Sequence, residues 1–193
     1  MDVAGLKRTL RREAVTRILA LDAAVRAAEE ARLCELFPGL PGLDGASSVL
    51  LYVHAFPEEI DTAPMLAWVL GSGRRLVLPR VDRRARALRL YPVADLEADL
   101  RPGTLGIPEP RRDLPEVPPG EVDWVLVPGL LFDPRGYRLG RGAGHYDRLL
   151  PQLRPGVPRW AYCLDCQWVD ELPVEPHDVP LDGVLSAGRE CHL

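Results

Sequence analysis

With 193 residues, 47% of them hydrophobic and 27% charged, the chain holds enough apolar material for a sizeable core but too little length for two catalytic domains, so one domain over 1–193 is expected. A formal net charge of −4 gives no basic excess for nucleic acid, no apolar run reaches the length of a membrane span, and the N-terminus lacks the apolar core of a secretory signal. The expectation is a cytoplasmic monomer that meets small molecules rather than nucleic acid or membrane.

Residues 3–20 read as a helix, with Leu6, Leu10, Ala14 and Ile18 on one face at spacings of four. Lys7 and Arg11 share a second face, as do Arg8 and Arg12, and like charges so placed oppose each other unless an anion comes near. Lys7 is the one lysine among 24 basic residues. Where arginine is the default cation, a lone ammonium suggests that its compact geometry is needed. A second helix is expected from the N-cap Asp22 to Phe37, ending at Pro38-Gly39.

The run 48–53 is continuously apolar, as a central strand buried on both faces would be, and strands of this kind deliver functional groups at their carboxyl ends. His54 to Thr62 follow, with Glu58, Glu59 and Asp61 before a helix over 64–70; read locally, these acids favour the positive helix end. Strands are expected at 75–80 and 88–91. The segment 101–120 is too rich in Pro, Gly and charge for a helix or central strand.

A strand over 123–127 feeds the most informative stretch, Val127 to Arg148. It passes through a turn-rich loop and closes on three alternate glycines, Gly140, Gly142 and Gly144, before a helical segment. Glycines let backbone amides approach a ligand closely, and exposed amides beside a helix start suit phosphate. Arg138, Arg141 and Arg148 add planar donors. Asp147 is a carboxylate among arginines, and beside phosphate such a group calls for a cation such as Mg²⁺. Taken alone, Gly-x-Gly-x-Gly is equally a tight turn. Strands at 159–163 and 182–186 close the pattern. Cys163 and Cys166 have Cys-x-x-Cys spacing without a second ligand pair, and read as small buried or half-buried thiols. The four histidines are scattered and no nucleophile motif accompanies them, which disfavours a hydrolytic triad. The alternation of strands and helices predicts an α/β fold, a three-layer sandwich with a largely parallel central sheet, Rossmann-like, with its site near 54–60 and 128–147.

The segment Pro-Gly-Leu-Leu-Phe-Asp-x-x-Gly-x-Arg-Leu-Gly-Arg-Gly-x-Gly-x-Tyr-Asp-Arg, residues 128–148, closely resembles the signature of the 5-formyltetrahydrofolate cyclo-ligases, or methenyltetrahydrofolate synthetases. Further matches run from Lys7 to Asp182. Lys7-Arg8-Thr9-Leu10-Arg11 is similar to the family's N-terminal basic motif, Glu59-Ile60-Asp61-Thr62 to its pterin-recognising motif, and Gly106-Ile107-Pro108-Glu109-Pro110 to an ordered loop over the cleft. Leu172-Pro173-Val174-Glu175-Pro176-His177-Asp178 matches a C-terminal element. His145 departs, standing where many members carry Tyr or Phe.

The resemblance implies ATP- and Mg²⁺-dependent closure of 5-formyltetrahydrofolate to 5,10-methenyltetrahydrofolate through a phosphorylated formyl group. It implies catalytic roles for Lys7 and Arg141. ATP would be held by Lys7, Arg8, Arg11, Arg138, Gly140, Arg141, Gly142, Ala143, Gly144, His145 and Tyr146. Phe56, Glu59 and Tyr146 would contact folate, and Asp147 and Asp178 the metal. The rivals are another nucleotide-dependent phosphotransferase and a non-catalytic folate or nucleotide binder. A dinucleotide fingerprint is disfavoured because residues 128–139 separate the strand from its glycines.

Overall fold

The computed structural model describes residues 2–103 and 106–192. Helix α1 spans Val3–Leu19 and α2 spans Ala23–Leu36. Each begins at an aspartate that takes up first-turn amides: Asp2 accepts from Gly5, and Asp22 from Ala24 and Val25. The chain then runs through β1 (Ser48–Leu50), α3 (Ala63–Gly71), β2 (Arg75–Asp82) and β3 (Ala87–Val93). A short α4 (Leu96–Asp99) leads into a two-stranded ribbon of β4 (Leu100–Pro102) and β5 (Pro108–Pro110). Next come β6 (Trp124–Leu126), a hairpin of β7 (Leu131–Phe132) and β8 (Arg138–Leu139), α5 (His145–Leu149), β9 (Arg159–Tyr162), β10 (Gly183–Leu185) and β11 (Glu190–His192).

The seven-stranded sheet has the order β11-β10-β9-β6-β1-β2-β3. The five inner strands are mutually parallel, and β3 and β11 close the edges antiparallel. From β1 the chain winds outward to β2, and from β6 it winds the opposite way to β9 and β10. Strands β1 and β6 therefore lie side by side where the winding reverses, and a crevice opens beyond their carboxyl ends. The expected site segments, 54–60 and 128–147, leave the sheet there.

Successive strand residues point to opposite faces. Val49, Leu76, Leu78, Trp124, Leu126, Trp160 and Tyr162 share one core with Ala14, Ile18, Leu33 and Met65 from α1, α2 and α3. Leu50, Val77, Val125, Ala161 and Val184 share the other with Leu149, Leu150, Leu153 and Val157. The three layers expected from sequence are present, but one is thin: α5 and a 3-10 turn at Leu150–Gln152 cover the face that three helices cover opposite. Among the described residues no helix is long and apolar enough to cross a membrane.

Three features depart from the sequence expectations. The strand expected over 48–53 stops at Leu50; the Leu51 amide still reaches the Val77 carbonyl at 3.0 Å, and the chain then leaves the sheet at the reversal point. The hairpin β7–β8 lies inside what reads as a loop, because its strands are two residues each and carry no periodicity. Strand β11 was not foreseen at all, since Glu190-Cys191-His192 has no apolar run. Within 101–120 the prolines of β4 and β5 sit in a detached ribbon where their missing donors cost no central ladder bond.

Gly183 of β10 pairs with Trp160 of β9, and a Cβ on Gly183 would lie 2.4 Å from the Trp160 ring. Gly183→Ala is expected to lose about 1–3 kcal/mol by overpacking. The measurement is the denaturant midpoint at unchanged slope; a midpoint equal to wild type would refute the contact.

Candidate active site

The loop beyond β6 is organised by Asp133, which is wholly buried. Its carboxylate accepts the Arg135 amide at 3.0 Å, the Tyr137 amide at 3.1 Å and the Leu172 amide at 3.0 Å, and pairs with the Arg135 guanidinium. A short acceptor thus closes the β7–β8 turn and fastens it to the segment carrying Glu175 and Asp178. Strand β8 then delivers Arg138 and the glycine loop. Gly142 (φ 99°) and Gly144 (φ 64°) occupy the left-handed region that disfavours side chains. Gly142 also needs to be bare: a Cβ would stand 3.1 Å from the Arg11 guanidinium. Gly140 has neither constraint, and its carbonyl accepts from Arg11 Nε at 2.7 Å.

Lys7 is buried although it lies on the expected polar face of α1. Its Nζ donates to Glu175 Oε2 at 2.9 Å and Asp178 Oδ2 at 2.5 Å, and the Glu175 amide donates to the same Asp178 oxygen at 2.7 Å. Burial pulls the lysine pKa down, but the hydrogen bonds to Asp178 and Glu175 outweigh it, leaving the pKa above its ordinary value.

Arg138 Nη1 donates to Asp147 Oδ1 at 2.9 Å. Burial would raise the Asp147 pKa; the Arg138 charge and the Val179 amide more than compensate, and the carboxyl sits below its usual range. The Val179 contact also sets Asp147 beside the Asp178 segment. Arg138 Nε and the Tyr146 hydroxyl are buried without a hydrogen-bond partner among the described residues. Burial pushes the tyrosine pKa up, so the phenol stays protonated.

Arg141 takes an unexpected position. Its guanidinium carbon lies 3.5 Å from the Phe56 ring centre, Nη2 is 2.7 Å from Glu58 Oε1, and Nε is 3.3 Å from Glu59 Oε1. The other Glu59 oxygen accepts from the Ala55 and Phe56 amides at 2.8 and 3.3 Å, so Glu59 also shapes its own turn. Arg148 corrects the expectation that it faces phosphate: it turns outward to the carbonyls of Ala143 (2.8 Å) and Arg86 (2.9 Å) and to the His145 ring. Burial and the Arg148 charge lower the His145 pKa, so the imidazole is neutral at pH 7.

One cavity of about 440 Å³ joins most of these groups. The residues that the resemblance assigns to ATP, folate and metal line it, namely Lys7, Arg8, Arg11, Phe56, Glu59, Arg138, Gly140, Arg141, Gly142, Ala143, Gly144, His145, Tyr146, Asp147 and Asp178, whereas Arg148 does not. The apolar wall comes from Val53, Pro79, Val81, Leu88, Leu130 and Ile107. Three acids were not foreseen as site residues. Glu58 looks redundant beside Glu59, and Glu175 and Glu109 stand within quoted motifs, which were the available signal. Glu109 is buried, with Oε2 accepting no hydrogen bond among the described residues and Arg80 at 3.5 Å. The cavity thus brings together cations paired with carboxylates and an aromatic ring capped by Arg141. That arrangement can align a phosphorylated ligand with a ring bearing amide-like donors.

The family model described as the 5-formyltetrahydrofolate cyclo-ligase family matches residues 3–187. The chain belongs to the 5-formyltetrahydrofolate cyclo-ligase family. The chain is 38% identical over 148 residues to the cyclo-ligase of Mycolicibacterium smegmatis, covering 74% of each chain. It is 33% identical over 137 residues to that of Escherichia coli, covering 70% of this chain and 75% of the relative. The solved structure of Aquifex aeolicus 5,10-methenyltetrahydrofolate synthetase superposes with a TM-score of 0.84 at 30% identity, over 97% of this chain and 92% of that one. The protein is accordingly an enzyme of folate metabolism, a cyclo-ligase by family.

Within this cyclo-ligase, Lys7→Met would leave Glu175 and Asp178 side by side without their cation. The expected loss is roughly 3 kcal/mol of stability at neutral pH. A lysine pKa raised by folding contributes fully below its ordinary 10.5 and is lost only as pH climbs through the raised value. The difference between wild type and variant should therefore hold from neutrality to about 10.5 and narrow from there as pH climbs through the raised value; denaturant midpoints across pH check it.

Proposed function

We propose that the protein converts 5-formyltetrahydrofolate to 5,10-methenyltetrahydrofolate with Mg-ATP, releasing ADP and phosphate. The observation that carries this reading is the meeting of Lys7, from the start of the chain, with the glycine loop and Phe56 and Glu59 in one cavity. A formyl oxygen is a poor leaving group as oxide. In the proposed sequence it attacks the γ-phosphorus and ADP departs; N10 of the folate then attacks the activated formyl carbon, its proton leaves with the phosphate, and the ring closes. Such transfer needs alignment and neutralised charge more than a protein nucleophile, which agrees with the absence of a nucleophile motif in the sequence.

In this reading Lys7, Arg8 and Arg11 face the phosphates together with the amides of Gly140 to Gly144. Helix α5 has only five residues, so its dipole adds little, and the loop amides with positive-φ glycines carry the contact. Arg138 Nε and the Tyr146 hydroxyl, unpartnered donors on the wall, suit ligand oxygens. Asp178 and Asp147 offer oxygen donors of the kind Mg²⁺ takes, and Asp178 Oδ1 accepts no hydrogen bond among the described residues, with the His177 ring at 3.8 Å. When bound, Mg²⁺ would supply neutralisation of the triphosphate. Arg141 covers the pterin-facing groups, Phe56 and Glu59, in this structure; it leaves them as the ring docks and turns its fork to the phosphates.

Mixing the protein, Mg-ATP and 5-formyltetrahydrofolate should produce the absorbance of the methenyl product; tight binding with no absorbance change would mark a binder and overturn the enzyme reading. Arg141→Ala is expected to lower kcat by roughly 100-fold, the effect of removing one transition-state donor. It should also tighten folate binding measured without ATP, because Phe56 and Glu59 are then uncovered. Weaker folate binding in that variant would show that Arg141 holds the ring rather than yielding to it.

A further inference from the structure

Glu58 is a buried acid to which the proposed reaction gives no task. Its side chain has one partner among the described residues, Arg141, whose Nη2 lies 2.7 Å from Glu58 Oε1. Phe56 and Glu59 line the cleft and Glu58 does not, so a ligand seated there reaches the groups around Arg141 without touching this acid. The turn that carries Glu58 is held on two sides: the Glu59 carboxylate accepts the Ala55 and Phe56 amides, and Arg26 of α2 donates to the Pro57 and Glu59 carbonyls at 2.6 and 2.5 Å. Glu58 is therefore a fixed post. Arg141 stands exposed between Gly140 and Gly142 on the facing loop, where its long side chain can turn without moving the sheet.

Three contacts hold Arg141 where it is: the Phe56 ring at 3.5 Å, Glu59 at 3.3 Å and Glu58 at 2.7 Å. A docked ring competes for the first two, because both groups face the cleft, and leaves the third untouched. The Glu58 pair alone then stands between the guanidinium and the phosphates. Its carboxylate is 7% exposed, so salt and water screen the pair poorly. A triphosphate by itself has to break all three contacts to recruit Arg141; with the ring in place it has to break one.

Resting on the folate reading above, we propose that Glu58 is a positioning residue, a latch that keeps Arg141 from the triphosphate until the ring has taken Phe56 and Glu59. Folate and nucleotide then favour the same released form of Arg141, so each tightens the other's binding by an equal factor. The latch also suppresses loss of ATP to water. With no formyl oxygen in the site, water is the available nucleophile: its oxygen attacks the γ-phosphorus, ADP leaves and the water proton passes to solvent, a reaction that the latched arginine does not assist. Removing the Glu58 charge weakens the latched form and raises the released fraction before folate arrives.

The test is equilibrium binding of a non-hydrolysable ATP analogue with Mg²⁺ to the full chain, with and without saturating 5-formyltetrahydrofolate. Wild type is expected to bind the analogue about tenfold tighter with folate present. Glu58→Gln keeps the shape of the side chain and removes its charge; it should bind the analogue more tightly than wild type without folate and bring the ratio within about twofold of one. ADP release from Mg-ATP alone should rise about tenfold in Glu58→Gln and show no such rise in Glu58→Gln/Arg141→Ala over Arg141→Ala, because the gain is made through the arginine. A ratio of one in wild type, an undiminished ratio in Glu58→Gln, or an equal rise in ADP release on the Arg141→Ala background would overturn the inference. The wild-type ratio decides without any variant, so a Glu58→Gln chain that fails to fold does not shield the latch. Methenyl formation by wild type, followed in parallel, reports on the folate reading itself; if it proceeds while the ratio is one, the latch alone is refuted. Absence of both folate binding and methenyl product refutes both.

Discussion

A buried ammonium must have anions beside it. Lys7 is 6% exposed, and burying an isolated ammonium would cost more than most domains have in stability. The anions come from the far end of the chain: Glu175 and Asp178 lie 168 and 171 residues away. That pairing ties the first helix to the loop between β9 and β10 at the cleft, and the rest of the site inherits its position from it. With α1 so fixed, Arg11 one turn on reaches the Gly140 carbonyl and lies over Gly142, which explains why the loop has no side chain there. Asp133 completes the frame, holding the Leu172 segment that carries the two acids against the β7–β8 turn that launches the glycine loop.

The sheet decides where this frame can stand. Only at the reversal between β1 and β6 do two neighbouring strands send their following loops to opposite sides, leaving a gap between them. Residues 51–59 form one lip and residues 128–147 the other. Arg141 spans the gap to Phe56, Glu58 and Glu59. In the proposed function these are the groups a docked ring would use, and Arg141 supplies Phe56, Glu58 and Glu59 with a partner across the gap.

Much of this was legible in the sequence, and the reasons differ from element to element. The strands at 75–80 and 123–127 show because their centres, residues 76–78 and 124–127, are buried on both faces and so continuously apolar. The caps Asp2 and Asp22 illustrate two grades of signal: Asp22 precedes a clear periodic run, whereas Asp2 sits at the terminus where no boundary is needed. The site residues were found by motif rather than by periodicity, since Lys7, Glu59 and Asp178 carry no local pattern that separates them from solvated charges. What stayed hidden was pairing. Nothing in the spacing of Glu175 assigns it to Lys7, and nothing near Arg141 says that its partner is Phe56 rather than an anion, because both contacts are made by tertiary closure across more than eighty residues. The thin second layer was equally invisible: α5 is cut to five residues by Pro151 and replaced by a 3-10 turn, a local event within an otherwise helical-looking segment.

Almost every charged group in the cleft already has an intramolecular partner: Lys7 with Glu175 and Asp178, Arg138 with Asp147, Arg141 with Glu58 and Glu59, Arg11 with a carbonyl. Ligand binding at such a site exchanges partners instead of creating charge contacts from solvated ions. An exchange of this kind yields only the difference between two sets of interactions, so affinity stays moderate while misplacement of any one group is penalised by an unpaired buried charge. For the proposed reaction, which would bring two anionic ligands together and then release methenyltetrahydrofolate, ADP and phosphate, that trade would favour turnover over tight holding. In the proposed reaction the acids beside Lys7 and Arg138 would act in the same direction, keeping these cations from gripping phosphate so firmly that it never leaves.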